Sequence, residues 1–356
     1  MKILHLITTI ERGGAENQLL TLVKEQIKIG HFVIVVPLKG QTELLDQLRE
    51  AKCLVDLSLL NRNFVNQLIR FKRILGSVRP DIIHAHLPQA ELVGALCKGN
   101  TPLIVSRHNA ENFAPRINKY FSKVLSRYVQ SRAKAIIAIS QAVADFLKKG
   151  GEISFNRKIY VVHYGYGEIR SPLSSKNRLE IDSQLKIIAV GRLVEQKDFP
   201  TLFHAVHLIS KKMNVQVNIY GSGLLEGQLK KLCKKLDIEG NVKWQGKTAH
   251  ILERFSENDV FVLTSQYEGF GLVLLEAMQT GIPILASNNS AIPEVVGKNY
   301  PGLFKTSDYQ NLADLIEKCR SINFRNSLTN ILIERLEIFD PKLMACKIDE
   351  VYKTIN

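Results

Sequence analysis

The feature that most narrows the fold of this chain is a strict alternation of two kinds of segment, run through twice. Short apolar runs rich in Ile and Val (KILHLITT, HFVIVVPL, DIIHAH, PLIVSRH, AKAIIAIS) are separated by longer amphipathic stretches such as 15–29 and 63–78. The pattern lapses in GYGEIRSPLSSKNRLEIDSQ, which is rich in glycine, serine and charge. It restarts at residue 185 with LKIIAVG, VQVNIYG, NVKWQG, DVFVLTS and PILAS. Short runs that are apolar on both faces are strands buried from both sides, and the amphipathic segments between them are crossover helices. The expectation is an α/β protein with two parallel sheets, each covered by helices on both faces. Domains are expected at 1–170 and 185–340, with a linker at 171–184. A closing helix over 341–356 should follow the break at Asp340 and Pro341. At 356 residues the chain is long for one core and comfortable for two.

Composition removes several classes of function. With 45% hydrophobic and 23% charged residues the chain reads as soluble and globular, and no run approaches the ~20 apolar residues of a membrane span. The opening MKILHLITTI is too short and too polar for a secretory leader and reads as a buried first strand. Five scattered cysteines, odd in number and never in a Cys-x-x-Cys pair, argue for a reducing compartment and against a disulfide framework or a zinc site. A cytoplasmic location is expected. The net charge is +14, and residues 1–180 hold 27 Lys and Arg against 14 Asp and Glu. The first half therefore faces a polyanion, such as an anionic membrane surface or a lipid-linked phosphate. Nucleic acid is not expected as a partner.

Chemistry concentrates in residues 265–283, SQYEGFGLVLLEAMQTGIP. The preceding NDVFVLTS reads as a strand, Gly269, Phe270 and Gly271 as a tight turn, and the rest as a helix containing Glu276 about two turns in. A helix N-terminus offers unpaired N–H groups and partial positive charge, and glycine lets a ligand reach the backbone, which suits phosphate. Glu268 in the turn and Glu276 in the helix, eight residues apart, can accept hydrogen bonds from sugar hydroxyls. The ligand is thus anionic at one end and hydroxyl-rich at the other.

This segment resembles the nucleotide-sugar site of the family 4 retaining glycosyltransferases. The shared pattern is a serine, E-G-F-G, E-A-M and G-x-P, here Ser265, Glu268 to Gly271, Glu276 to Met278, and Gly281 with Pro283. The resemblance implies the glycosyltransferase-B (GT-B) fold, two Rossmann-like, doubly wound parallel-sheet domains facing across a cleft, with the terminal helix returning to the first domain. Arg192 and Lys197, in GRLVEQKD after the strand LKIIAVG, match the family's cations for the diphosphate, although Asp198 stands where the family usually has glycine or asparagine. Gly13 and Gly14, closed by Glu16 in GGAE, look like the family's first loop at the donor phosphate. His108, at the end of PLIVSRH, resembles the histidine that hydrogen-bonds the donor sugar.

Three patterns mislead. Gly221, Gly223 and Gly227 in YGSGLLEG mimic a dinucleotide fingerprint, but the second gap is three residues. No Asp-x-Asp occurs, and Glu257-Asn258-Asp259 precedes a strand at its amino end. His84 and His86 could begin a metal site, but no third ligand is identifiable at a useful spacing. No metal and no cofactor are expected.

A basic stretch, Arg116, Lys119, Lys123 and Arg127, gathers within roughly 80° of a helix beside Ile117, Tyr120, Phe121, Val124 and Tyr128. It is either a solvated face over a core face or a dock for anionic lipid at the inner face of the cytoplasmic membrane.

The resemblance implies transfer of a hexose-type sugar, with retention and without metal, from a nucleoside diphosphate sugar, a UDP-sugar first among candidates, to a hydroxyl acceptor that could be lipid-linked. Arg192, Lys197 and the N–H groups of Leu272 and Val273 would neutralise the leaving diphosphate. Glu276 would hold the ribose, Glu268 with the Gly269–Gly271 backbone the sugar, and His108 its far edge. A nucleotide-sugar epimerase, an NAD-dependent oxidoreductase, or a non-catalytic nucleotide- or glycan-binding subunit are the alternatives.

Overall fold

The computed structural model describes residues 1–114, 117–153, 157–167 and 184–355. The chain forms two compact units, Met1–Gly167 with Phe339–Asn356, and Glu168–Ile338. Residues 171–183 of the expected linker lie outside the described residues.

The first unit is built on seven parallel strands: β1 (Lys2–Ile7), β2 (Phe32–Pro37), β3 (Leu54–Val55), β4 (Ile82–His86), β5 (Leu103–Arg107), β6 (Ala135–Ala138) and β7 (Tyr160–Val161). Their order is β3-β2-β1-β4-β5-β6-β7. The second unit has six parallel strands: β8 (Leu185–Val190), β9 (Val215–Tyr220), β10 (Val242–Gly246), β11 (Val260–Leu263), β12 (Ile284–Ser287) and β13 (Leu303–Phe304), in the order β10-β9-β8-β11-β12-β13. Both are doubly wound. In each, the order reverses between the first strand and the fourth, and the crevice beyond the carboxyl ends of those two strands is where such sheets bind ligands.

Burial explains why the apolar runs lack period-2 alternation. β4, β5, β6, β11 and β12 are buried at every position, so both faces carry side chains suited to a core. The last helix, Pro341–Lys353, capped by the Asp340 side chain on the Lys342 N–H at 2.7 Å, lies on the first sheet. Its Met344, Ile348, Val351 and Tyr352 join Ile3, Leu22, Ile82 and Ile104 in one buried cluster. Burying each such side chain is worth about 1.5–3 kcal/mol, so this helix is part of the first unit's core and not an appendage.

Candidate functional site

In the second unit the switch point lies between β8 and β11, and a buried ion pair spans it. Lys197 follows β8 in a short 3-10 turn, and Glu268 lies in the loop after β11. Lys197 Nζ stands 2.5 Å from Glu268 Oε1, and Ser265 Oγ donates to the same oxygen at 2.7 Å. The two loops are stitched by further bonds. Thr264 Oγ1 donates to the Lys197 carbonyl, Gln196 Nε2 to the Tyr267 carbonyl, and the Gln266 N–H to the Gln196 carbonyl. Lys197 and Glu268, assigned above to different parts of a ligand, are thus first of all partners of one another. Part of the lysine's charge is already met within the protein. Arg192 is exposed, and Gln196 Oε1 at 3.4 Å gives it only a long contact.

Beyond Glu268 the chain turns at Gly271, whose φ of +88° is a left-handed conformation that glycine adopts without a Cβ penalty. Gly271 is the N-cap of the helix Leu272–Thr280 and has no side chain to cap it. The Leu272 and Val273 amides accordingly meet no acceptor among the described residues. Phe270 is buried and anchors the turn. Glu276 is the fifth helical residue, just over one turn in and not two, because the helix starts at Leu272. Its half-buried carboxylate has no hydrogen-bond or ion-pair partner among the described residues, and burial raises its pKa above the ordinary carboxylate range.

Two sequence oddities acquire physical reasons. Asp198 has a φ of +44°, a left-handed position where asparagine and aspartate are enriched after glycine. Its Oδ2 accepts from Thr201 Oγ1 and Ser307 Oγ, both at 2.8 Å, so the departure from glycine or asparagine leaves the turn intact. A Cβ on Gly221 would lie 1.8 Å from the Gly191 carbonyl oxygen, and one on Gly223 2.4 Å from that of Leu193. Those glycines let the loop bearing Arg192 pass against the loop after β9. Asp259 Oδ2 accepts from the Lys186 N–H at 2.7 Å at the amino end of the sheet, away from the switch point.

In the first unit Gly13 is the extended N-cap of the helix Gly14–Lys28. The Glu16 carboxylate folds back over it, with Oε2 2.4 Å from the place a Gly13 Cβ would take, and Oε1 accepts from Thr9 Oγ1 at 2.5 Å. The diglycine turn thus already faces a carboxylate of its own chain, which an incoming oxyanion would have to displace. His108 follows β5, and both its ring nitrogens are engaged: Nδ1 with the Tyr164 hydroxyl at 2.5 Å and Nε2 with His86 Nδ1 at 3.1 Å. Burial, and after it the Arg107 cation, lower its pKa to about 3, so it is neutral near pH 7.

Sequence reasoning missed a third histidine beside His84 and His86. His5, on β1, pairs in register with His84 on β4, and the three rings bring ligand-type nitrogens within 4.8 Å of one another. The spacing of 79 residues conceals this, and only the adjacency of the first and fourth strands brings the rings together.

The basic helix Lys119–Arg132 is the reverse of an ordinary surface helix. Tyr120, Phe121 and Val124 are 80%, 69% and 62% exposed, while Ser122, Ser126 and Gln130 are buried. The option of a core face beneath Tyr120, Phe121 and Val124 is therefore corrected. The cause lies beneath the helix, where Arg107 and Glu152 form a buried pair at 3.0 Å that needs further polar contacts. Ser126 supplies them, accepting from Arg107 and donating to Glu152. Lys119 and Arg127 are exposed and Lys123 half-buried, and Arg116 lies outside the described residues.

Two family models match the chain: Glycosyltransferase Family 4 over residues 12–166, and Glycosyl transferases group 1 over residues 173–331. An uncharacterized glycosyltransferase of Methanocaldococcus jannaschii is 28% identical over 256 residues, 65% of this chain and 63% of its own length. The amylovoran biosynthesis glycosyltransferase AmsD of Erwinia amylovora is 25% identical over 301 residues, 80% of this chain and 81% of its own. The chain spans between 34% and 63% of the length of three of the curated relatives it matches. Among solved structures, Anabaena Alr3699/HepE in complex with UDP superposes with a TM-score of 0.81 at 22% identity, covering 99% of this chain and 100% of that one, a likeness of fold.

Proposed function

Because this chain belongs to the family 4, group 1 glycosyltransferases and has their GT-B fold, we propose that it moves a hexose-type sugar from a nucleoside diphosphate donor to a hydroxyl acceptor, with retention and without metal. One observation carries the reading. Among the described residues, two amides at the start of the helix Leu272–Thr280 lack acceptors, and one turn further on the Glu276 carboxylate has no partner. An anion-attracting end beside a hydroxyl-accepting group fits a diphosphate joined to a ribose.

In this scheme Arg192 and the Leu272 and Val273 amides take up the charge that develops as the bond from the anomeric carbon to the phosphate oxygen breaks. Lys197 adds what charge Glu268 leaves it. Glu268 and the Gly269–Gly271 backbone position the sugar, and the family resemblance assigns a hydrogen bond to the sugar to His108, which is neutral. Gly13 and Gly14 offer amides to the donor phosphate once Glu16 has moved aside. Front-side attack accounts for retention. The acceptor oxygen bonds to the anomeric carbon on the face the phosphate leaves, the bonding pair stays with the diphosphate, and the acceptor proton passes to its oxygen.

A UDP-sugar is the favoured donor, since the structurally similar Anabaena protein was solved with UDP. Work in cell-surface polysaccharide, lipopolysaccharide or glycolipid assembly is supported by the amylovoran relative and by the exposed aromatic and cationic side chains of Lys119–Arg132. That helix would dock the protein on the inner face of the cytoplasmic membrane, near a lipid-linked acceptor. No helix among the described residues is long and apolar enough to cross a membrane.

The test is incubation with a panel of nucleotide sugars and a hydroxyl acceptor, read by NMR of the anomeric centre. Transfer with the donor's configuration kept is the expected result. An inverted product, an epimerised donor or a requirement for NAD contradicts the reading.

A further inference from the structure

The first sheet buries a set of polar side chains whose hydrogen bonds run in one direction, and that direction follows atom by atom. His5, His84 and His86 share one sheet face, with ring centroids 5.2, 5.2 and 4.2 Å apart. His5 Nε2 meets Gln26 Oε1 at 2.7 Å, and His5 Nδ1 meets His86 Nε2 at 2.9 Å. His86 Nδ1 meets His108 Nε2 at 3.1 Å, and His108 Nδ1 meets the Tyr164 hydroxyl at 2.5 Å. A second branch leaves the other end of Gln26. Its Nε2 donates to the Tyr352 hydroxyl at 3.1 Å, which meets His84 Nδ1 at 2.6 Å, and His84 Nε2 meets Ser106 Oγ at 2.7 Å.

Burial holds all four imidazoles neutral, His5 at about 4 and His108 at about 3, with His84 and His86 well below the usual value. A neutral imidazole carries one N–H and one bare nitrogen, so fixing one ring in a chain fixes the next. A phenol hydroxyl is a more acidic donor than an imidazole N–H, and an imidazole nitrogen is the better acceptor. Tyr164 therefore donates to His108 Nδ1. His108 then donates from Nε2 to His86, His86 from Nε2 to His5, and His5 from Nε2 to Gln26 Oε1. Tyr352 likewise donates to His84 Nδ1, leaving its oxygen to accept from Gln26 Nε2. The two ends, argued separately, require the same orientation of the Gln26 amide.

We propose that Gln26 and Tyr164 lock His108 as the Nε2–H tautomer, so that Gln26, which never touches the site, is a positioning residue acting through His5 and His86. His108 Nδ1 is then an acceptor. A group that takes the place of Tyr164 there must bring a hydrogen, which a substrate hydroxyl does and a phosphate or carbonyl oxygen does not. This last consequence rests on the placement of His108 at the sugar, and the tautomer does not.

A metal held by His5, His84 and His86 is the competing occupant. It would need bare nitrogens converging on one point, yet His5 Nδ1 is already met by an N–H of His86. The metal-type cluster found among the described residues also contains no carboxylate or thiolate to balance a buried divalent charge.

The experiment is a two-dimensional 15N–1H correlation of the imidazoles in the full chain labelled with [15N]histidine. In the unmodified protein His5, His84, His86 and His108 should all carry the proton on Nε2. An Nδ1 proton on His5, His86 or His108, or a transition metal retained stoichiometrically by those rings, overturns the proposal without any variant. In Gln26→Leu the His108 ring shifts should move toward the average of the two tautomers, and unchanged His108 shifts also overturn it. Donor KM should rise in Gln26→Leu. If the tautomer shifts and KM does not, the chain stands and the placement of His108 at the sugar fails.

Discussion

Lys197 and Glu268 stand 2.5 Å apart across the point where the strand order of the second sheet reverses, with side chains only 13% and 9% exposed. A pair this buried is costly to break from one side, because the remaining charge is left without a partner. This pair, with Thr264 Oγ1 on the Lys197 carbonyl and Gln196 Nε2 on the Tyr267 carbonyl, holds together the loops that present Arg192 and the start of the helix Leu272–Thr280. Stability and the proposed chemistry are therefore coupled there.

Removing one partner should destabilise the second unit more than removing both. Lys197→Met is expected to cost about 3–5 kcal/mol, and Lys197→Met with Glu268→Leu much less, since no orphaned charge remains. Chemical denaturation of the single and double variants checks this, and equal losses would contradict it. Activity should be lost in both.

Glu276 should trade stability for donor binding. Burial raises its carboxyl above the ordinary range, so the ionised form is held at a cost above that raised value. Below it the folded protein binds the proton more readily than the unfolded chain, and the cost is relieved. Glu276→Gln should accordingly be more stable than the unmodified protein near pH 7, with the gap closing as pH falls. Its donor KM should rise roughly 10-fold or more, the loss of one or two charged hydrogen bonds. Thermal melts across pH, paired with kinetics, read both effects.

The histidine chain should make the first unit acid-labile. His5 is lowered from 6.5 to about 4, so its contribution is complete above pH 6.5 and is lost as pH falls through the interval down to about 4. For His5 alone this is on the order of 3 kcal/mol. Stability measured between pH 7 and 4 should fall steeply, and less so in His5→Gln. No limb near pH 6.5 should appear in the activity profile on account of His108, which stays neutral down to about 3.

Phe121→Ser should leave stability within about 0.5 kcal/mol, since the ring is 69% exposed, yet reduce co-sedimentation with vesicles containing anionic lipid. Lys119→Glu should do the same with stronger salt dependence. Undiminished vesicle binding in both would remove the docking role of this helix.

The doubly wound architecture was legible because strands buried on both faces leave continuous apolar runs, and the turn at Gly269–Gly271 because two close glycines punctuate the passage from an apolar β-branched run to a helical one. The two-residue strands β3, β7 and β13 were not, being too short to show any period. Nor was the outward aromatic side of Lys119–Arg132. A helix wheel separates apolar from polar, but here the polar side is the buried one, because Arg107 and Glu152 lie beneath it. His5 stayed hidden for a related reason. Its ring partners come from a strand some 79 residues away, Gln26 reaches it from the first helix, and Tyr352 of the last helix reaches Gln26 and His84.

The central claim is that a diphosphate is held by Arg192 and oriented amides with no bound ion. Calorimetric titration of UDP in the presence of EDTA, with the unmodified protein and Arg192→Ala, tests it most directly. Binding should persist in EDTA and weaken about 10-fold or more in the variant. Binding that disappears on chelation and returns with manganese, or that is indifferent to Arg192, would contradict the account.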